Sequence, residues 1–280
     1  MIKQLQSLKS YERIKPLLNS AAANNVVING VLDGNNLGRV YANHPDYPTA
    51  ALVWAQNEML FLIGEFEEEF YCEAEELIVN VIKPAALQIG EDYLNLEVYS
   101  SAEAHSYVSE RFRNRLHRGE RVPFAFQKEL FLNRYSSFAC SLPGEYKLAE
   151  IDEELISSAE PVLTAEILKF WESTESFLQK GIGYCMMRQN EVIGTCISVY
   201  VSGNEYEIGI HVYDPWHRGR GLASVMAVAF IYRCLGKGGT PHWTTESFRS
   251  DSISVARKVG FKQLPAYTVY YLAYSELTDR

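Results

Sequence analysis

The chain has 280 residues, 47% of them hydrophobic and 12% aromatic, enough apolar material for packed cores and too much for a disordered chain. Its formal net charge of −9 argues against a nucleic-acid partner, which would want a basic face. Five widely spaced cysteines (Cys72, Cys140, Cys185, Cys196, Cys234) offer neither a Cys-x-x-Cys metal pair nor a disulfide framework, the start MIKQLQSLKSYERIK has no apolar signal core, and no apolar run could cross a bilayer, so a cytoplasmic protein with no metal and no membrane is expected.

In chain order, the first ~30 residues read as helix, with Leu5, Leu8, Tyr11, Ile14 and Leu17 at helical spacing. Short apolar runs at Gly38–Ala42, Thr49–Ala55 and Met59–Ile63 predict strands separated by turn residues. The stretch Glu65–Glu76 carries seven glutamates around Phe66, Phe70 and Tyr71, and reads as the acidic start of an amphipathic helix. A strand is predicted over Leu94–Tyr99 and a helix over Ala102–Arg113, followed by a polar stretch, Asn114–Glu120. Strands are predicted at Pro123–Phe126 and Tyr146–Ala149, and a domain boundary between them divides the chain into residues 1–145 and 146–280.

The second half predicts helix from Asp152 to Leu178, strands at Gly183–Arg188 and Val192–Val201 joined by a tight turn, and a third strand at Glu205–Tyr213. An apolar helix over Ala223–Leu235 is stopped by GKGGT, then come a strand at His242–Glu246, a helix at Ser250–Val259 and a last strand at Tyr267–Leu272. The segments ALVWAQNEMLFLIG (51–64) and GYCMMRQNEVIGTCIS (183–198) echo each other around a shared QNE, which suggests two copies of one fold. Cys185 and Cys196 are read as small buried hydrophobes, and the histidines show no metal-ligand spacing.

The stretch DPWHRGRGLASVMA (214–227) carries the chemistry. A strand runs into a short loop that opens a helix near Leu222, and the first turn of a helix presents amides with no internal partner. Gly219 and Gly221 let the backbone approach an anion, Arg218 and Arg220 bring positive charge and fixed forks of donors, Ala223 is small, and Ser224 adds a hydroxyl. Taken alone, such a turn is better read as a charged surface loop; the strand before it, the apolar helix after it and the combination Arg-x-x-Gly-x-Ala point to a pyrophosphate. A Walker loop is absent, and a dinucleotide-binding fold would need more chain than the ~60 residues that follow.

RGRGLA (218–223) resembles the Arg/Gln-x-x-Gly-x-Gly/Ala signature of the GNAT superfamily of acyl-CoA N-acyltransferases, and SISVARKVGF (252–261) resembles that family's fourth helix. The resemblance covers most of residues 150–272, and the whole chain is similar to two-lobed members with a degenerate first lobe. It implies a mixed α/β fold of tandem type, each lobe a mostly antiparallel twisted sheet flanked by helices. It further implies acetyl-CoA as co-substrate: Arg218, Gly219, Arg220, Gly221, Leu222, Ala223 and Ser224 on the pyrophosphate, the backbones of Ile210, His211 and Val212 along the pantetheine arm, the Val212 amide toward the thioester oxygen, and Ser252 from helix four.

The implied reaction is attack of a deprotonated amine on the thioester. A free alkylamine has a pKa of about 10.4, so a base must take its proton. Glu207, eleven residues before Arg218, is the first candidate; Glu246 is the second and His211 the third. The family's asparagine before helix four is replaced by Ser247-Phe248-Arg249, and its thiolate-protonating tyrosine by Ala256, leaving Tyr267, Tyr270 or water for that task. These departures keep open an alternative, an inactive acyl-CoA-binding sensor or partner module; a third reading is an enzyme for longer acyl chains. The acceptor is expected to be an amine-bearing small molecule, with the first lobe either capping its site or making a homodimer.

Overall fold

A computed structural model describes residues 1–100, 104, 105, 108, 110, 112, 115–135 and 142–277. The first part of the chain runs β1 (Lys3–Gln4), α1 (Leu8–Tyr11), α2 (Val26–Leu32), β2 (Gly38–Ala42), β3 (Ala50–Ala55), β4 (Met59–Gly64), α3 (Glu68–Leu77), α4 (Lys83–Gln88) and β5 (Tyr93–Tyr99). It continues with β6 (His117–Phe126), α5 (Lys128–Arg134), β7 (Tyr146–Glu150), α6 (Glu153–Ser158), α7 (Val162–Ile167), α8 (Thr174–Lys180), β8 (Gly183–Arg188), β9 (Glu191–Ser202) and β10 (Glu205–Val212). The last elements are α9 (Leu222–Gly236), β11 (Thr240–Glu246), α10 (Ser250–Lys258), β12 (Phe261–Gln263) and β13 (Tyr267–Ala273).

These elements form two compact units, Met1–Glu120 with Tyr267–Arg280, and Arg121–Ala266. In the first, the strands lie in the order β1-β2-β3-β4-β5-β13, and β4–β5 is the parallel pair. In the second, the order is β7-β8-β9-β10-β11-β6, with β12 on β6, and β10–β11 is the parallel pair. Both are mixed, mostly antiparallel sheets of one topology. A parallel neighbour needs a crossover, which α3 and α4 supply in the first unit and α9 in the second.

Apolar runs explain the interiors. Every residue of β3 (AALVWA) is buried, as expected of a strand covered on both faces. The first core joins Leu52, Trp54, Leu60 and Leu62 to Phe70 and Ile78 from the crossover and to Leu272 from β13. In the second unit α9 buries ten of its fifteen residues, among them Met226, Phe230 and Ile231. A buried side chain of this size contributes roughly 1.5–3 kcal/mol, so this helix is fixed firmly and its N-terminus is held in place.

Four expectations change. The long N-terminal helix is broken into a two-residue strand and short helical turns, because Pro16 sits in a single turn at Lys15–Leu17 and Asn25 caps a new helix through the Ile28 amide at 3.0 Å. The polar run before Glu120 is strand from His117 onward. The expected division at residue 145 falls inside the second unit: β6 pairs with β11, and β13 pairs with β5, so each half of the chain gives a strand to the other's sheet. Composition cannot reveal such an exchange. Finally, the two QNE turns are not counterparts: the first joins β3 to β4, directly before the crossover, and the second joins β8 to β9, one hairpin earlier. Asn57 has φ +61°, and Gln189 and Asn190 have φ +50° and +67°, so turn chemistry accounts for the likeness. The helix expected over 102–113 and Cys140 lie largely or wholly outside the described residues.

Candidate active site

β10 and β11 begin as parallel neighbours and then part. Their register runs Glu205 with Thr240, Tyr206 with Pro241 and Glu207 with His242, and stops there. From Trp243 onward β11 pairs with β6, down to Glu246 opposite Arg121, while β10 stays paired with β9 as far as Val212 opposite Gly194. Among the described residues, the other edge of β10 beyond Glu207 therefore carries no strand. The register of β10 against β9 shifts between Glu207 and Ile208, where Val199 of β9 is the extra residue, at the same level as the fork.

The loop after β10 is shaped by its own residues. Asp214 accepts from the Trp216 amide at 2.9 Å and starts a tight turn at Pro215–His217. Arg218 then folds back, its Nε donating to the Val212 carbonyl at 3.1 Å. Gly219 and Gly221 have φ +73° and +81°, which an L side chain adopts only at a cost of about 1–2 kcal/mol. A Cβ at either would meet nothing within 4 Å, so the requirement is conformational rather than steric. Gly221 is the N-cap of α9 and brings no side chain to cap it; the first backbone bond is from the Val225 amide to the Gly221 carbonyl at 3.1 Å. The amides of Leu222, Ala223 and Ser224 are left for an incoming acceptor.

The fork, this loop and the start of α10 enclose a cavity of about 480 Å³. Of the residues expected at the cofactor, Ile210, His211, Val212, Arg218, Gly219, Gly221, Leu222, Ala223, Ser224 and Ser252 line it. Arg220 does not; its Nε donates to the Trp216 carbonyl at 3.1 Å and its guanidinium lies 3.8 Å from Glu145. His217, Arg249, Asp251, Ser254 and Val255 also line the cavity and were not anticipated. His217 could have been suspected from its place inside the motif, and the others from the polar turn that opens α10. Arg218 and Arg249 make the wall cationic despite the acidic chain, and the cavity's Asp251 is paired with Arg249 at 3.3 Å. Burial works against the Asp251 carboxylate, but bonds from the Ser252 amide and Arg249 hold its pKa below the ordinary value. Ser252 is fixed by the Trp243 indole, which donates to its hydroxyl at 3.1 Å.

Of the expected bases, His211 lines the cavity. Partial burial lowers its pKa, Glu166 opposes this, and Arg218, Lys169 and Arg249 reinforce it, so the imidazole is neutral at pH 7. Glu207 is buried, at 7% exposure, and is the last residue of β10 paired to β11. Glu246 lies at the far end of β11, half-exposed, with Arg121 4.0 Å away. Neither glutamate is part of the cavity wall. Ala256 is fully buried, and the two tyrosines belong to the first unit, where Tyr267 donates to Glu97 at 2.9 Å and Tyr270 bonds His105 at 3.2 Å. Burial pushes the Cys185 and Cys234 thiols up to about 12, so neither is a nucleophile at neutral pH. Among the described residues, no cluster of His, Cys, Asp or Glu could hold a metal ion, and no helix is long and apolar enough to cross a membrane.

Comparison with known proteins identifies the family and the fold. The family model of the GNAT acetyltransferases matches residues 15–270. YdfB of Bacillus subtilis strain 168, described as an uncharacterized N-acetyltransferase, is 26% identical over 94% of this chain and 96% of its own. The crystal structure of a GCN5-related N-acetyltransferase-like protein from Streptococcus suis 89/1591 superposes with a TM-score of 0.70 at 20% identity, covering 94% of this chain and 98% of that one. A tandem GNAT protein from the clavulanic acid biosynthesis pathway gives 0.56 at 12% identity, covering 98% and 99%.

Proposed function

The chain belongs to the GNAT acetyltransferase family, and from that premise we propose that it moves an acetyl group from acetyl-CoA to the amine of a small molecule. The observation that carries this reading is the meeting, in one cavity, of an open strand edge on β10 with the uncapped, glycine-opened N-terminus of α9.

The residues present suit a long ligand with a diphosphate at one end. Gly219, Gly221 and the amides of Leu222, Ala223 and Ser224 form a concave row of donors, and Arg218 adds charge. Ile210, His211 and Val212 offer backbone groups to an extended pantetheine arm, as a strand edge offers them to another strand. Ser252 reaches the same space from α10. Arg220 contributes charge to the loop without lining the cavity. The thioester supplies the activated acyl carbon.

The protein's own part in the reaction is orientation, charge stabilisation and proton removal. The Val212 amide is the donor assigned to the developing oxyanion; removing such a donor typically costs about 3–4 kcal/mol in other enzymes. Glu207, buried at the fork, is assigned as the base that takes the ammonium proton, directly or through water. His211 is neutral and could relay that proton, whereas Glu246 is engaged near Arg121. With Ala256 in place of a tyrosine, protonation of the departing thiolate is assigned to water. Titration of acetyl-CoA into the protein, followed by thiol release across a panel of small amines, tests the reading; binding with turnover supports it, and absence of binding overturns it.

The buried Ala256 also favours a second reading, a module that binds acyl-CoA without turnover. Binding with no thiol release from any amine would select it. Competition between acetyl-CoA and longer acyl-CoAs reads the acyl preference directly.

A further inference from the structure

The loop after β10 brings three basic side chains close together, and the structure treats each differently. Arg218 turns its Nε to the Val212 carbonyl at 3.1 Å, and a second nitrogen lies 3.5 Å from the Tyr213 carbonyl. Arg220 is drawn off to the Trp216 carbonyl and toward Glu145, outside the cavity wall. His217 lines the cavity with Gly219 and Gly221, and among the described residues its Nε2 has no partner.

The imidazole is held at two places. The His217 amide donates to the Asp214 carbonyl at 3.0 Å, which closes the turn at Pro215–His217. Its Nδ1 lies 3.0 Å from the hydroxyl of Tyr146, the first residue of β7. The two rings meet edge to face, with centroids 5.7 Å apart and planes at 87°. Tyr146 is buried, at 6% exposure, and is anchored opposite Arg188 of β8. A sheet residue 71 positions away in the chain therefore sets the place of a loop side chain. The pair also sets the tautomer. Among the described residues, Nδ1 is the acceptor within reach of the Tyr146 hydroxyl. A proton on Nδ1 would leave that largely buried phenol O–H unpaired, at the cost of its desolvation. The phenol thus donates to Nδ1, and the imidazole proton sits on Nε2. Either tautomer would pin the loop; only the Nε2–H form gives the cavity wall a further donor, beside the open amides at the start of α9.

We propose that His217 is a ligand of the coenzyme diphosphate, donating from Nε2–H, and that Tyr146 is the residue that positions it. The inference rests on the acetyl-CoA reading above and adds to it a donor and a support from outside the loop. Calorimetric titration with acetyl-CoA compares the full wild-type chain with His217→Phe, His217→Gln and Tyr146→Phe, each checked for folding by circular dichroism. His217→Phe keeps a ring and loses the donor; it should weaken binding about 10- to 100-fold, the effect of losing a hydrogen bond to a charged group. His217→Gln puts an amide N–H near the place of Nε2 and should bind more tightly than His217→Phe. Tyr146→Phe removes one oxygen and should weaken binding about 2- to 10-fold. Long-range proton–nitrogen NMR of the free protein at alkaline pH, with the ring assigned by His217→Gln, reads the tautomer. We expect Nε2–H in the wild type and a mixture in Tyr146→Phe; this readout and the Tyr146→Phe affinity decide the matter even if His217→Phe does not fold. A wild-type chain that binds no acetyl-CoA overturns the acetyl-CoA reading and this inference with it. Where the wild type does bind, three results overturn this inference alone: unchanged affinity in folded His217→Phe or Tyr146→Phe, equal affinity of the Phe and Gln variants at position 217, or an Nδ1–H tautomer in the wild type.

Discussion

The two units share a strand order but treat their parallel pair in opposite ways. In the first, β4 and β5 stay in register from Leu60 with Leu96 to Ile63 with Tyr99, and the pair is zipped up to its crossover end. In the second, β10 and β11 separate after Glu207 and His242, and the freed edge faces a cavity. The loops that follow differ in the same sense. After β4 the chain reads GEFEEEF, and α3 starts with Glu68 and Glu69 in its first turn, which satisfies the helix dipole internally and repels phosphate. After β10 the chain reads HRGRGLA, and α9 starts with no acidic residue at all. On the proposed function, one topology yields a socket only where two conditions coincide: a strand edge with no neighbour, and a helix start left open to an anion.

The comparison can be broken most sharply at the fork. Glu207→Gln should lower kcat by about 10²- to 10⁴-fold while acetyl-CoA affinity stays unchanged, as removal of a general base requires; steady-state rates and calorimetry check the two halves of that statement. Arg218→Glu should weaken acetyl-CoA about 10- to 100-fold by removing a charge-assisted donor and adding repulsion, and the wild-type affinity should fall as salt is raised. Converting Glu68 and Glu69 to arginine should create no second site, because β4 and β5 remain paired; a stoichiometry of two would show that charge alone makes the socket. Gly221→Ala should reduce melting stability by about 1 kcal/mol, the cost of a left-handed Cβ in open space, and should reduce affinity less than the charge reversal does. The smallest effect is one of pH. The His211 pKa is lowered in the folded chain, so its contribution to stability is present above the ordinary value of about 6.5 and is lost as pH falls from there through the lower folded value. His211→Gln should flatten the fall in melting temperature over that acidic range.

Much of this contrast was legible in the amino-acid sequence. Strand–loop–helix order around RGRGLA rests on local chemistry, namely alternation, glycine and an apolar helix, and those signals place ten of the eleven expected cofactor residues on one cavity wall. Arg220 departs because a long side chain chooses between an anion and nearby carbonyls, which spacing does not encode. Arg249, Asp251, Ser254 and Val255 were missed because their role depends on where α10 docks, a tertiary fact. The fork itself is a tertiary fact; no residue pattern announces that β11 leaves β10 for β6. The same blindness explains the boundary at residue 145 and the mistaken pairing of the two QNE turns, where local turn preference looked like shared ancestry of position.

The most direct measurement is a calorimetric titration of acetyl-CoA into the wild-type chain and into Gly221→Asp, with circular dichroism to confirm that the variant is folded. The account predicts one site per chain in the wild type and no detectable binding in the variant, because a carboxylate at the N-cap of α9 occupies the place of the phosphate. Two sites in the wild type, or wild-type affinity in folded Gly221→Asp, would contradict it.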